Sequence, residues 1–112
     1  MSGYFNYILR CADGTLYSGF TTDPAARLAA HNAGTGAKYT RARLPVELVA
    51  LWQWPDKSAA MSAEYRVKQM TREQKERLIA RKASLEGSRR VTKKRLERLL
   101  HNDDTTSKKE GA

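Results

Sequence analysis

The sequence has a single cysteine, Cys11, and no long apolar run, and each shortage excludes a class of protein. Disulfide frameworks and cysteine-based zinc cages need several thiols, so we expect neither, and we expect a reducing, cytoplasmic location. The longest apolar stretch, VELVALWQW, is interrupted by Glu47 and is too short to cross a bilayer. The first residues show no basic leader followed by an apolar core. The sequence therefore predicts neither a membrane span nor export.

Acidic residues are also fewer than basic ones, and nearly all of this imbalance lies in one part of the chain. The chain has 21 Lys and Arg against 12 Asp and Glu, which gives a net charge of +9. Residues 57–101 hold 14 of the basic and 5 of the acidic residues, whereas residues 1–56 hold 5 and 4. A basic half of this kind is typical of a nucleic-acid partner, because neutralising phosphates releases condensed counterions. An anionic membrane surface and a merely solvated helix face are the alternative interpretations.

The 112 residues, 40% of them hydrophobic, are enough for one domain with its own core. Residues 4–10 and 15–20 flank an Asp-Gly pair, which predicts a tight antiparallel hairpin. Asp23 followed by proline then predicts a capped helix over 24–32. The glycine-containing, basic segment 34–45 is expected to be a loop.

The second half predicts a third strand covered on both faces, then helices and a disordered tail. Apolar side chains occur at odd and even positions of the strand, which indicates burial on both faces. Ser58 is the expected cap of one helix, and Thr71 with Gln74 forms a capping box for the next. The predicted bounds are 46–54 for the strand, 59–69, 72–83 and 89–101 for the helices, and 102–112 for the tail.

These elements predict a small α/β domain of the α+β kind. The order is β-β-α-β-α-α, with a three-stranded, mainly antiparallel sheet that helices must cover to make a core. We expect a domain over 1–86, a basic helical extension over 87–101 and a disordered tail over 102–112.

Four side chains of the hairpin and first helix are candidates for chemistry. Tyr7 and Tyr17 lie on the two strands of one hairpin, where a purely structural cross-strand pair is the alternative. Arg27 and His31 are spaced i,i+4, so they project from one helix face that returns towards the tyrosines. The histidine can carry a proton and the arginine can bind a phosphate, although such a pair is also common on solvated surfaces.

Glu64 is the fifth candidate, because it lies on the apolar stripe of the second predicted helix. A carboxylate there is costly unless it is paired, hydrogen-bonded or bound to a cation. A structural ion pair with Lys68, one turn on, is one interpretation. A magnesium site is the other, since Mg²⁺ commonly uses one or two protein carboxylates and keeps several waters.

The ordered set of these residues resembles the GIY-YIG nuclease superfamily, in particular the small stand-alone bacterial YhbQ-like group. The strands FNY and YSG match the GIY and YIG signatures, and YSGFTTDPAARLAAHN, GTGAKYTRARLP and AAMSAEYRVKQM follow in register. The resemblance covers about residues 3–82. It implies that Tyr7, Tyr17, Arg27, His31 and Glu64 are the catalytic residues.

The resemblance implies a metal-dependent endonuclease that hydrolyses DNA, with structure selectivity and a place in DNA repair or processing. Glu64 is expected to hold one Mg²⁺ or Mn²⁺, and Tyr7, or alternatively Tyr17, to take a proton from the attacking water. Arg27 would clamp the phosphate and His31 would orient the tyrosine or share its proton.

The expected nucleic-acid contacts come from basic residues of the loop and the C-terminal segment. DNA is the expected partner, RNA is the alternative polymer, and we expect a monomer. A nucleic-acid binder of nuclease descent with little turnover, and an adaptor that binds an acidic protein, are the competing functions. The residues expected to contact nucleic acid are Lys38, Arg41, Arg43, Arg89, Arg90, Lys93, Lys94 and Arg95.

Overall fold

The fold is an antiparallel sheet with helices packed on it. The computed structural model describes residues 3–92 and 94–98. Its strands pair in the order β2-β1-β3-β4, and every pairing is antiparallel. Among these residues no helix is long and apolar enough to cross a membrane. The elements are β1 (Tyr4–Arg10), β2 (Leu16–Thr21), α1 (Pro24–Asn32), α2 (Lys38–Arg41), β3 (Glu47–Trp54), α3 (Lys57–Lys68), α4 (Arg72–Ile79) and β4 (Arg89–Arg90).

The predicted hairpin is confirmed, and local chemistry explains its turn. The Asp13 carboxylate accepts bonds from the backbone amide and the hydroxyl of Thr15 at 3.1 and 2.6 Å. Gly14 has a φ of 86°, which a side chain would disfavour. The resulting register places Tyr7 opposite Gly19 across the two strands.

The central strand β1 is buried on both faces, so it separates two apolar clusters. Phe5, Tyr7 and Leu9 point to one face and pack with residues such as Val91 and Leu28. On the other face, a second cluster contains Ile8, Ala50, Trp52, Ala60, Ala63 and Val67. The burial of β3 residues in both clusters confirms the prediction that this strand is covered on both sides.

The helix starts are set by capping side chains. Asp23 caps α1 as predicted, and the capping box of Thr71 and Gln74 is present at α4. The cap of α3 is Asp56, whose carboxylate accepts from the Ala59 amide at 2.8 Å. The prediction of Ser58 as this cap was wrong, because an aspartate two residues earlier supplies a charged acceptor to the helix N-terminus.

Three predictions about secondary structure are corrected. The sheet has four strands, because residues 89–90 form β4 against the outer edge of β3 instead of starting a helix. Residues 94–98 are helical, whereas residues 93 and 99–101 of the predicted helix lie outside the described residues, as does the predicted tail. The segment 34–45, expected to be a loop, contains the short helix α2. Helix α4 ends at Ile79, short of the predicted residue 83.

The side chain of Arg90 caps the C-terminal end of α4 and so links β4 to this helix. Its guanidinium donates to the carbonyls of Leu78 and Ile79 at 2.7 and 3.2 Å, which satisfies groups that a helix end leaves open. Burial, and next the charge of Arg81, lower its pKa to about 10. The segment predicted to be a helical extension thus contributes a strand to the same sheet, and the domain boundary at residue 86 stays a prediction.

Candidate active site

Tyr7 is the centre of the candidate site. It lies on β1, is only 3% exposed, and places its hydroxyl oxygen 2.9 Å from Nε2 of His31. Gly19, its partner on β2, makes this placement possible, because a Cβ there would overlap the tyrosine ring and hydroxyl. The glycine of the YSG motif is therefore required by the close approach of an aromatic ring.

His31 is completely buried and is held from both sides. Its Nδ1 lies 2.8 Å from the hydroxyl of Thr40, which belongs to α2. The next residue of α1, Asn32, anchors the helix end by exchanging two hydrogen bonds with the backbone of Val46, at 2.8 and 3.1 Å. The ring is thereby fixed between the sheet and the segment that follows α1.

Arg27 reaches the same hydroxyl from one turn earlier on α1. Its Nε lies 3.4 Å from the Tyr7 oxygen, so the predicted convergence of Arg27, His31 and Tyr7 is present. Burial raises the pKa of Tyr7, and the hydrogen bond and charge of Arg27 oppose this increase. Burial, followed by the charge of Arg27, lowers the pKa of His31. At neutral pH the site therefore holds a neutral phenol beside a neutral imidazole.

Tyr17 joins the cluster through its ring. Its centroid lies 5.6 Å from that of His31 in an edge contact, and 5.9 Å from the stacked ring of Tyr39. The guanidinium of Arg43 covers the outer face of Tyr39 at 3.9 Å. Tyr17 therefore packs against the histidine while Tyr7 makes the hydrogen bond to it.

Glu64 approaches from the opposite side, on α3. The hydroxyl of Ser18 donates to its backbone carbonyl at 3.4 Å, which ties α3 to β2. Its side chain is 21% exposed and pairs with Lys68 at 3.3 Å, so the predicted structural ion pair is present. Its charge also raises the pKa of Tyr7, but less than burial and the charge of Tyr17 do.

The predicted nucleic-acid residues differ in how much of their charge is available. Lys38, Arg41, Arg89 and Lys94 are exposed, whereas Arg95 is partly buried and Lys93 lies outside the described residues. Arg43 pairs with Asp13 at 3.1 Å and donates to the Tyr39 carbonyl, and Arg90 caps α4. Arg43 and Arg90 thus have structural roles, and contact of any of these residues with nucleic acid stays a prediction.

Comparison with known proteins agrees with this arrangement. The model of the GIY-YIG catalytic domain matches residues 3–77, which include all five candidate residues. The chain belongs to the GIY-YIG family. The resemblance expected from the sequence is thereby confirmed.

Its relatives include small proteins named only as UPF0213 proteins. One from Natronomonas pharaonis is 53% identical over 69% of this chain and 91% of its own length. One from Halobacterium salinarum is 56% identical over 65% of this chain and 95% of its own length. A solution NMR structure of a UPF0213 protein from Bacillus halodurans is 47% identical over 76% of this chain and 86% of its own, with a TM-score of 0.47.

Among the described residues, the candidate site offers a divalent metal a single carboxylate, that of Glu64. Within residues 3–92 and 94–98 there is no group of three His, Cys, Asp or Glu side chains that could hold an ion. Glu64 nevertheless fits Mg²⁺, because its partly exposed carboxylate already attracts a cation, the Lys68 ammonium. Mg²⁺ accepts such a site when water and substrate phosphate supply its other ligands.

Sequence reasoning did not identify Thr40, Tyr39 and Gly36 as parts of the candidate site. All three lie in the segment 34–45, whose glycines, charge and family match predicted a basic loop but no contact with His31. A Cβ on Gly36 would lie 2.5 Å from His31 Nδ1, so this glycine marks a close approach. A glycine and a threonine within a few residues of a candidate histidine could have indicated a ring contact.

Proposed function

We propose that this chain is a divalent-metal-dependent endonuclease that hydrolyses phosphodiester bonds in structured DNA during repair or processing. The observation that carries the proposal is the Tyr7 hydroxyl, held between His31 Nε2 at 2.9 Å and Arg27 Nε at 3.4 Å. Any buried phenol needs a hydrogen-bond partner, but here the two partners are an imidazole that can take a proton and a guanidinium that can stabilise negative charge. The hydroxyl is positioned for proton transfer, which is what hydrolysis by water requires.

Tyr7 receives the proton of the attacking water in this proposal. A free phenolate at pH 7 costs about 4 kcal/mol, because an ordinary tyrosine titrates near pH 10. Burial raises the pKa of Tyr7 further, so the group cannot ionise beforehand and needs a base beside it. His31 is that base, since its lowered pKa keeps the ring neutral at physiological pH. Tyr17, whose ring contacts the same histidine, is the alternative proton acceptor.

In this proposal Arg27 binds the substrate phosphate and Glu64 would hold the metal ion. Arg27 is half-buried beside Tyr7 and can donate to a phosphate oxygen through the guanidinium nitrogens that do not face Tyr7. Glu64 would hold Mg²⁺ or Mn²⁺, with Lys68 giving up its ion pair. When bound, the ion supplies positive charge against the developing charge on the phosphate and the leaving oxygen.

The charge of the chain supports a nucleic-acid substrate. The excess of +9 is carried by residues 57–101. The exposed cations Lys38 and Arg41 lie on α2, the same short helix whose Thr40 contacts His31. Phosphate contacts of this kind position a protein on the backbone without reading base sequence. Selectivity for DNA structure, not for sequence, is therefore expected.

Cleavage of a panel of DNA structures tests the proposal. Flap, forked, nicked and plain duplex DNAs are incubated with the protein, with Mg²⁺, with Mn²⁺ and with a chelator. We expect metal-dependent cuts near the branch point of at least one structure and none with the chelator. Tight binding of every structure without any cut in either metal would contradict the proposal and favour a DNA-binding protein of nuclease descent.

A further inference from the structure

The hydrogen bonds around His31 form one continuous chain of bonds, and the role of its Arg27 end is fixed. Arg27 Nε can only donate, because a guanidinium has no acceptor, so the Tyr7 oxygen accepts from it. At the other end, Thr40 Oγ1 lies 2.9 Å from the Ala37 carbonyl, which also accepts from the amides of Thr40 and Arg41 at 3.1 Å. The hydroxyl can turn its proton to this carbonyl or to His31 Nδ1, so the proton positions are decided from the Tyr7 end.

Thr40 accepts a hydrogen bond from the tautomer of His31 that Tyr7 requires. The Tyr7 oxygen accepts from Arg27, and among the described residues the other partner of this buried hydroxyl is His31 Nε2, so Tyr7 donates to Nε2. The imidazole then donates the 2.8 Å bond from Nδ1 to Thr40 Oγ1. In the neutral ring Nδ1 thus carries the proton and Nε2 is the acceptor.

We propose that Thr40 is a positioning residue, whose hydroxyl holds His31 as the Nδ1–H tautomer and so keeps Nε2 free to take the proton of Tyr7. The inference rests on the proposed function, because it requires Tyr7 to receive a proton from the attacking water. In a Ser-His-Asp triad, the carboxylate fixes the tautomer of the catalytic histidine in the same way, by accepting a hydrogen bond from Nδ1–H. Here a hydroxyl bonded to a backbone carbonyl takes that place.

In the proposed step the water oxygen bonds to phosphorus while one water proton passes to the Tyr7 oxygen. The Tyr7 proton passes to His31 Nε2, and the bond from phosphorus to the leaving oxygen breaks. Tyr7 remains a neutral phenol, and His31 becomes an imidazolium that still donates from Nδ1 to Thr40. The leaving oxygen takes a proton from solvent, and His31 releases its extra proton to solvent. One water is therefore consumed for each bond cut.

The segment that carries Thr40 is shaped to fit the histidine ring. A Cβ on Gly36 would lie 2.5 Å from Nδ1 and 2.9 Å from Cγ of His31, so the backbone closes on the ring edge as only glycine allows. Thr40 and His31 are both 0% exposed, which prevents water from replacing the hydroxyl. Besides Arg27 on α1, the charged or titratable groups that affect this network are Tyr17 on β2 and Glu64 on α3.

Nitrogen-15 NMR of the histidine rings tests the tautomer without any activity measurement. The chain has two histidines, so in the His101→Gln variant every histidine signal comes from His31. At neutral pH we expect a protonated Nδ1 and a bare Nε2. Thr40→Val deletes the hydroxyl at nearly constant size and should introduce the Nε2–H tautomer, whereas Thr40→Ser should keep Nδ1–H. Thr35→Val is the matched control, because the Thr35 hydroxyl bonds the Ala30 carbonyl instead.

Cleavage kinetics test the catalytic consequence. Thr40→Val should lower kcat by about 10–100-fold with little change in KM, and Thr40→Ser should restore most of the rate. An Nε2–H ring in the wild-type chain would overturn the role of Thr40 alone, as would a Thr40→Val variant with wild-type tautomer and kcat. A chain that shows Nδ1–H but cuts no DNA would overturn the proposed function, and this role with it. If Thr40→Val does not fold, the wild-type spectrum and Thr40→Ser still decide.

Discussion

The two sides of the candidate active site are built in opposite ways. On the side of α1 and α2, the side chains of Tyr7, His31 and Thr40 are buried and hydrogen-bonded in series. On the side of α3, Glu64 is 21% exposed and pairs with Lys68, which is 47% exposed. The first side is held in place by buried hydrogen bonds. On the second side the ion pair is exposed to solvent, so that another partner can replace it.

This difference matches the roles that the proposed hydrolysis assigns to each side. Protons have to move between fixed atoms, and burial keeps water from competing for those hydrogen bonds. A metal and a phosphate have to enter and leave, and an i,i+4 ion pair worth about 0.3–0.5 kcal/mol can be displaced easily. The comparison therefore predicts that variants on the open side lose activity without stability, and that variants on the buried side lose both.

Glu64→Gln should give the largest loss of activity. It removes the charge at nearly constant size, so we expect cleavage to fall by about 10⁴-fold or more because the metal is no longer held. Unfolding temperature and DNA affinity should stay near wild-type values. Glu86→Gln, at an exposed carboxylate that is not among the candidate residues, is the control. A folded Glu64→Gln protein that cuts at the normal rate would remove Glu64 from the site.

Tyr7→Phe should lower both activity and stability. It keeps the ring and deletes the hydroxyl, so we expect a rate loss of about 10²–10⁴-fold, the usual scale of general acid–base catalysis. His31 Nε2 is then left buried without its partner, which should cost about 1–3 kcal/mol of unfolding free energy. Tyr4→Phe, on the same strand, is the control. A lower melting temperature with an unchanged rate would give Tyr7 a structural role only.

Tyr17→Phe should have a smaller effect than Tyr7→Phe. Within residues 3–92 and 94–98 the Tyr17 hydroxyl has no hydrogen-bond partner, and its ring contacts to His31 and Tyr39 survive the substitution. We expect less than about a tenfold change in kcat, measured beside Tyr7→Phe on the same DNA. A larger loss for Tyr17→Phe than for Tyr7→Phe would reverse the two assignments.

Acidic pH should lower the unfolding free energy through the buried His31. The pKa of His31 is lowered from 6.5 in the fold, so the unfolded chain binds the proton more readily. The unfolding free energy should therefore be highest above pH 6.5 and should fall as the pH decreases below it. Urea titrations of the His101→Gln protein measure this slope. His31→Gln in the same background should flatten it, and an unchanged slope would contradict a neutral buried ring.

The basic C-terminal segment should give the smallest effect. Removing everything after Gly87 would also delete β4 and the Arg90 cap, so we instead substitute the exposed Arg89, Lys94 and Arg98 by Gln. Each phosphate that the protein no longer neutralises should reduce the slope of log K against log salt by about 0.9, so a decrease of about 1–3 is expected. Cleavage at saturating protein should persist. An unchanged slope would favour packing or self-association, which sedimentation would detect.

Local sequence determined much of this molecule. The Asp-Gly turn, the Asp23 cap and the capping box at Thr71 act over four or fewer residues, so their elements were predictable from neighbours in the chain. The candidate residues Tyr7, Arg27, His31 and Glu64 were identifiable because their spacing matches a known family. Strand β4 was not predictable, since two residues have no periodicity and owe their conformation to the edge of β3.

Tertiary structure decided which of these residues touch. The sequence provided a tyrosine, a histidine and a threonine at positions 7, 31 and 40, but only the packing of α2 against α1 brings Thr40 to His31 Nδ1. Only the pairing of β1 with β2 shows why Gly19 has no side chain. Proton positions depend on which donors and acceptors meet inside a buried space, and that is a property of the folded chain, because in the unfolded chain water satisfies each group separately.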